Sequence, residues 1–214
     1  MDLHFKMPSA IDLHMYVDRL SKSRLPKEYA EVKYLESSGT QYIDTGIGNT
    51  YRNYFIECRC CQDGDYSIFG DWRRFNLTGS SGIERFYGYN DNKNIMTDIP
   101  TDINTPHTWK FDNGELYVDD EHIWSTLVYD GFGAWRNWYL FARNCDNEID
   151  DNGGHVRIYS FKVSYLNNET YIPLRNMLPC VRKSDGKPGM YDLVSGNFFV
   201  NIGTGEFTTS EGAE

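Results

Sequence analysis

Residues 30–214 of this chain predict an all-β fold, an antiparallel sandwich, on three observations. Apolar residues recur with a two-residue period in one long run, turn signals fall at roughly ten-residue intervals, and no helical pattern alternates with the strands. The long run is 154–166. Tyr159, Phe161, Val163 and Tyr165 share one parity and Ser160, Lys162 and Ser164 the other, which is the pattern of a strand with one buried face. Val156 and Ile158 are apolar on the opposite parity, and that predicts a bulge, or a strand end buried on both faces, near Ile158. A run of this length suits the central strand of a sandwich.

Composition agrees. Sixteen Tyr, twelve Phe and nineteen Gly favour strands and tight turns over helices. A net charge of −10 argues against general nucleic-acid binding, which rests on Lys and Arg against phosphates. No run approaches the ~18 apolar residues of a membrane span, and the opening residues Met1–Lys6 lack the apolar segment of a secretory leader. The expectation is a chain made in a cytosol, with no membrane partner. Cys58, Cys60, Cys61, Cys145 and Cys180 have poor zinc spacing and read as structural thiols.

Residues 1–29 differ from the rest. Ser9 and Asp12 form a weak capping box, and Leu13, Tyr16, Val17 and Leu20 fall at i, i+3, i+4 and i+7. This predicts a short helical arm, which is marginal alone and must dock on its own domain or on another subunit. From Glu31 onward short strands follow. They include 53–61, where Tyr54, Ile56, Cys58 and Cys60 share a face, then 66–71, 74–77, 85–89, 107–111, 122–128 and 137–143. Asp112-Asn113-Gly114 is the strongest hairpin signal in the chain, and Asp119-Asp120-Glu121 reads as the next turn.

Two constellations invite a chemical reading. Glu148, Asp150 and Asp151 lie in an acidic stretch, 144–153, that reads as a loop. A retaining glycosidase needs paired carboxyls roughly 5 Å apart. Glu148-Ile149-Asp150 resembles the start of the Glu-apolar-Asp-x-x-Glu strand motif of laminarinase-like glycosidases, and the resemblance implies a second Glu where Gly153 stands. The same loop offers Asp146, Glu148, Asp150 and Asp151 as a weak calcium site; beyond that no metal or cofactor is expected. The five His lack metal spacing, and neither a nucleophile elbow nor a phosphate loop occurs. Aromatic residues beside polar ones suit stacking on sugar rings. On that ground Trp72, Tyr87, Tyr89, Trp135 and Trp138, with Arg143, are the candidate carbohydrate-binding residues.

Three segments carry a resemblance: Tyr34–Gly46; Leu140–Asn144 with His155–Lys162; and Pro179–Val194 continuing to Gly203–Phe207. Together they resemble the concanavalin A-like, laminin-G-type jelly roll of phage and prophage structural proteins and of gut-bacterial surface proteins. The resemblance spans roughly residues 30–208. It implies two curved antiparallel sheets with a concave face that often holds sugars. It also implies a non-enzymatic virion component, such as a capsid decoration, head fibre or tail-associated protein. In that reading the arm at 1–29 is anchored to other virion proteins through Leu13, Tyr16, Val17 and Leu20. The domain at 30–214 is displayed in several copies toward host-surface polysaccharide. A glycoside hydrolase of the same fold and a ligand-free cement protein are the alternatives.

Overall fold

The structure, a computed structural model, describes residues 23–48, 53–71, 75–88, 93–125, 136–149 and 154–210. The expected arm helix, with Leu13, Tyr16, Val17 and Leu20, lies outside them, and the described residues contain no helix. They form two sheets packed face to face.

The larger sheet contains β1 (Tyr29–Glu31), β2 (Leu35–Ser38), β4 (Tyr54–Gln62), β9 (His107–Asp112), β10 (Glu115–Val118) and β11 (Glu121–Ser125). It continues through β15 (His155–Asn167), β16 (Thr170–Arg182), β17 (Lys187–Asp192), β18 (Phe198–Val200) and β19 (Thr208–Thr209). The smaller sheet contains β3 (Ile43–Gly48), β5 (Ser67–Asp71), β6 (Phe75–Ser80), β7 (Ile83–Gly88) and β8 (Lys93–Pro100). Its remaining strands are β12 (Asn137–Leu140), β13 (Asn144–Cys145) and β14 (Glu148–Ile149). Among the described residues every pairing is antiparallel except the short contact of Asn144 with Asp71.

The strand expected at the centre is there. β15 lies between β4 and β16 in the order β11-β10-β9-β4-β15-β16-β17-β18, and its first half also pairs with β2. The predicted bulge falls where Val156 and Ile158 change parity, because the register with β4 slips between Ile158 and Ser160. The slip also corrects one expectation. Tyr159 is the extra residue and turns to the outer face, so the buried set is Val156, Ile158, Phe161 and Val163, with Tyr165 half-buried against the core. On the outer face the Tyr159 ring meets the ring of Tyr34, and the Arg157 guanidinium lies 4.6 Å from the Tyr34 centroid. Arg157 also donates to Glu36 at 2.5 Å.

Between the sheets, Leu35, Ile56, Cys58, Phe161 and Met177 meet Ile43, Phe69, Leu77, Phe86 and Leu140. Cys58 and Cys60 are core residues, as their alternation predicts. A smaller cluster joins Leu178 and Cys180 to Leu25, which is 6% exposed, so packing on the domain reaches into the segment assigned to the arm. Among the described residues, five two-residue turns have both φ angles positive: Ser81-Gly82, Asn113-Gly114, Asp119-Asp120, Asp146-Asn147 and Asn168-Glu169. This is the geometry that matches the twist of a hairpin. The turn that follows β17 is built on Asp192, which is fully buried. Its carboxylate accepts from the backbone of Asn176 (2.7 Å), Val194 (3.1 Å) and Ser195 (3.2 Å) and from the Ser195 hydroxyl (2.6 Å).

Candidate functional site: the outer face of the smaller sheet

Cross-strand partners in an antiparallel sheet share a face. Phe69 pairs with Leu77 and with Leu140, Leu77 with Phe86, and Phe86 with Ile95; these side chains form the core. The alternate positions therefore point away from the larger sheet. In register they run Asp44–Tyr139–Gly70–Asn76 and Ser67–Thr78–Arg85. A bulge at Ile68 keeps Ser67 and Gly70 on this outer side, while Ile68 and Phe69 both enter the core.

Gly70 sets the floor of this face. Its φ is +130°, and a Cβ there would lie 2.0 Å from the Phe75 carbonyl oxygen, so no other residue fits. Beside it Tyr139 and Tyr42 meet with ring centroids 4.8 Å apart. Burial first, and then the charge of Asp44, push the Tyr139 phenol up to about 12. It stays a neutral hydroxyl and donates to the Asn147 carbonyl at 3.3 Å. The Asn137 amide donates to Asp44 at 3.1 Å, and the Asn144 amide donates to the Asn137 carbonyl at 2.9 Å.

Toward β7 the face changes character. Ser67 Oγ, Asn76 Oδ1 and Arg85 Nε are screened from solvent and have no hydrogen-bond partner. Ser67 and Asn76 are 1% and 2% exposed; Arg85 is half-buried. Each orphaned polar atom costs about 1–3 kcal/mol of uncompensated desolvation. Such groups are rare in folded proteins and need a reason. Three on one face of three adjacent strands mark a surface suited to a polar ligand that both donates and accepts.

The residues expected from the sequence fare differently. Trp138 is fully buried, because β12 turns Trp138 and Leu140 inward and Asn137 and Tyr139 outward. Its ring stacks on Phe75 at 5.3 Å and meets Tyr54 at 5.0 Å, so it is core and not a sugar platform. Arg143 is half-buried just beyond β12 and is engaged in contacts of its own. Tyr87 pairs through its backbone with Asn76 and Asn94, while Trp72, Tyr89 and Trp135 lie outside the described residues. The acidic stretch read as a loop is in part the β13–β14 hairpin, turning at Asp146-Asn147. Asp146 is ion-paired with Arg136, Glu148 is exposed, and Asp150 and Asp151 lie outside the described residues. Among the described residues no three His, Cys, Asp or Glu side chains are grouped to hold a metal ion.

Asn76, Ser67 and Arg85 were not foreseen. The signal is present in Phe75-Asn76-Leu77-Thr78 as polar residues alternating with apolar ones, whereas in Glu84-Arg85-Phe86 the inward Glu84 masks it. Alternation alone does not separate a ligand face from a solvated one.

A solved structure with this fold is that of a candidate carbohydrate-binding protein from Bacteroides ovatus. It is 13% identical, with a TM-score of 0.58, and the alignment covers 84% of this chain. The chain spans 60% of the length of that protein. No family model and no curated protein matches the sequence. The likeness establishes an all-β sandwich of two sheets.

Proposed function

We propose that this chain is a carbohydrate-binding module of the concanavalin A-like, jelly-roll kind, which holds saccharide on the outer face of its smaller sheet without catalysis. The observation that carries this reading is the trio of buried, unpartnered polar atoms, Ser67 Oγ, Asn76 Oδ1 and Arg85 Nε. Sugar hydroxyls both donate and accept, so one hydroxyl-rich ligand satisfies a hydroxyl, an amide oxygen and a guanidinium N–H together. The Tyr42–Tyr139 pair adds apolar surface beside the polar anchors, the usual make-up of a small-ligand site. A structural neighbour described as a candidate carbohydrate-binding protein supports the same reading. Because the three atoms are screened from solvent, a ligand reaches them only as covering side chains move aside.

The narrower proposal is a virion component. There residues 1–29 anchor the domain to other virion proteins through Leu13, Tyr16, Val17 and Leu20, and repeated copies turn weak single-site affinity into avidity. It rests on the three resembling segments and the amphipathic stripe.

The test is a glycan array followed by calorimetric titration of the full chain. The expected result is saccharide binding that falls at least about tenfold in Asn76→Ala, a loss of at least ~1.4 kcal/mol. The thermal midpoint of that variant should be unchanged or raised, since the substitution removes an orphaned acceptor. A folded protein that binds no saccharide, or an Asn76→Ala variant that binds as well as the parent, overturns the reading.

A further inference from the structure

The saccharide on this face, we infer, carries an anionic group, a carboxylate or a sulfate ester, that Arg85 binds; this rests on the function proposed above. The chain carries 31 Asp and Glu against 21 Lys and Arg, so its arginines find carboxylates easily. Arg24 pairs with Glu31, Arg136 with Asp146, Arg157 with Glu36, Arg175 with Asp192 and Arg182 with Asp185. Arg59, which among the described residues has no such pair, donates to Thr108 and lies over the Tyr159 ring.

Arg85 departs from this pattern. It sits half-buried in the middle of a sheet face, paired across the backbone with Thr78 and Met96. Its Nε has no partner, and among the described residues no carboxylate forms an ion pair with it. The acid that feels its charge is Asp65, which is exposed and committed to the Ser81-Gly82 turn, where Gly82 N–H donates to it at 3.2 Å. Partly buried charges are normally paired. Nε also belongs to the side of the guanidinium that grips an oxyanion with two parallel N–H bonds.

The neighbouring orphans fix what kind of anion fits. Ser67, Thr78 and Arg85 are successive cross-strand partners, so Ser67 and Arg85 stand about two strand spacings, ~10 Å, apart. Asn76 lies on the same face two residues from Thr78, ~7 Å along the strand. A lone inorganic ion is large enough for only one of these positions. An acidic sugar spans them, with its oxyanion on Arg85 and its ring hydroxyls at Asn76 and Ser67.

The experiment titrates the full chain with four probes: an oligouronate, the methyl ester of that oligouronate, a sulfated galactan oligosaccharide and its desulfated counterpart. An acidic member of one pair is expected to bind at least tenfold tighter than its neutral counterpart, and the pair that shows the difference identifies the oxyanion. Arg85→Gln is expected to abolish that difference, weakening the acidic ligand at least tenfold more than its neutral counterpart. Arg85→Lys, which keeps the charge but loses the planar fork, should retain part of it. Thermal unfolding confirms that both variants fold. Equal binding of acidic and neutral members, or an Arg85→Gln variant that weakens both alike, refutes the assignment. Binding to neutral glycans alone also refutes it, yet leaves the proposed carbohydrate-binding function standing. Binding to no saccharide removes both.

Discussion

Replacing Glu84 with Gln is expected to stabilise this protein at neutral pH. Glu84 is 2% exposed and sits at one end of the sandwich, where its Oε2 accepts from Gln62 Nε2 of the opposite sheet at 3.2 Å. Burial pushes its carboxyl up to about 8, against the opposing pull of the Gln62 hydrogen bond. Cys60 and Cys61 face it, and its charge would raise both thiols further. No cation is among the groups that shift it. The folded-state value therefore lies above the unfolded one of 4.5. Stability from this group is complete below about pH 4.5 and is lost as pH rises through about 8. Each pH unit in that window costs about 1.4 kcal/mol, so at pH 7 the parent forgoes on the order of 3 kcal/mol. Glutamine keeps the shape and a hydrogen bond to Gln62 and has no proton to lose. Urea unfolding at pH 5, 6, 7 and 8 reads the effect directly. The parent should weaken steadily with pH, the Glu84→Gln variant should show a much flatter profile, and the gap should widen toward pH 8. Parallel profiles for the two proteins would refute the assignment of a neutral, buried Glu84.

Other perturbations test the fold at separate points. Phe161→Ala, in the core, should cost about 3–5 kcal/mol, whereas Tyr159→Ala, on the outer face after the bulge, should cost only about 1 kcal/mol; equal losses in chemical denaturation would contradict the register slip. Gly70→Ala forces a Cβ to within 2.0 Å of the Phe75 carbonyl oxygen, and should lower stability by about 3 kcal/mol or more, measured as a fall in thermal midpoint. Asp192→Ala leaves Arg175 and four donors without their acceptor; a loss of about 3–5 kcal/mol is expected, visible in the same assay, with Asp192→Asn losing less.

Much of the fold was legible because it follows from period and turn chemistry. The alternation named the core residues of β4 and, in β15, Phe161 and Val163, and the change of parity at Ile158 located the bulge. The consequence of that bulge was harder to read, since an extra residue reassigns the face of only one side chain, Tyr159, and both parities are apolar there. Of the five turns with paired positive φ, Asn113-Gly114 announced itself through its glycine. Asp146-Asn147 was read as part of a loop, because Asp and Asn adopt this geometry only at some energetic cost and are common in loops of every kind. The binding face was the least legible part. Its members lie on separate strands, from Asp44 to Tyr139, and only cross-strand register brings them together. Trp138 was drawn toward the surface by its polar neighbours, while the Trp138–Leu140 alternation that buries it was equally present in the sequence.

The central place of β15 also governs the order in which the chain can assemble as it is synthesised. Two of its partners, β4 on one edge and β2 on the other, precede it by about a hundred residues or more. Beyond β2 on that second edge, β16 follows directly, and β17 and β18 extend the sheet through short turns. Sequence-local pairing forms early and distant pairing late. The last third of the chain can thus raise its own sheet, while β2 and β4, synthesised first, wait with the backbone edges that β15 pairs still open. A nascent chain that has not yet passed Asn167 lacks the full strand on which the larger sheet is centred. Completion of the larger sheet waits for β15, and the time before it is the interval in which a growing chain is most open to aggregation.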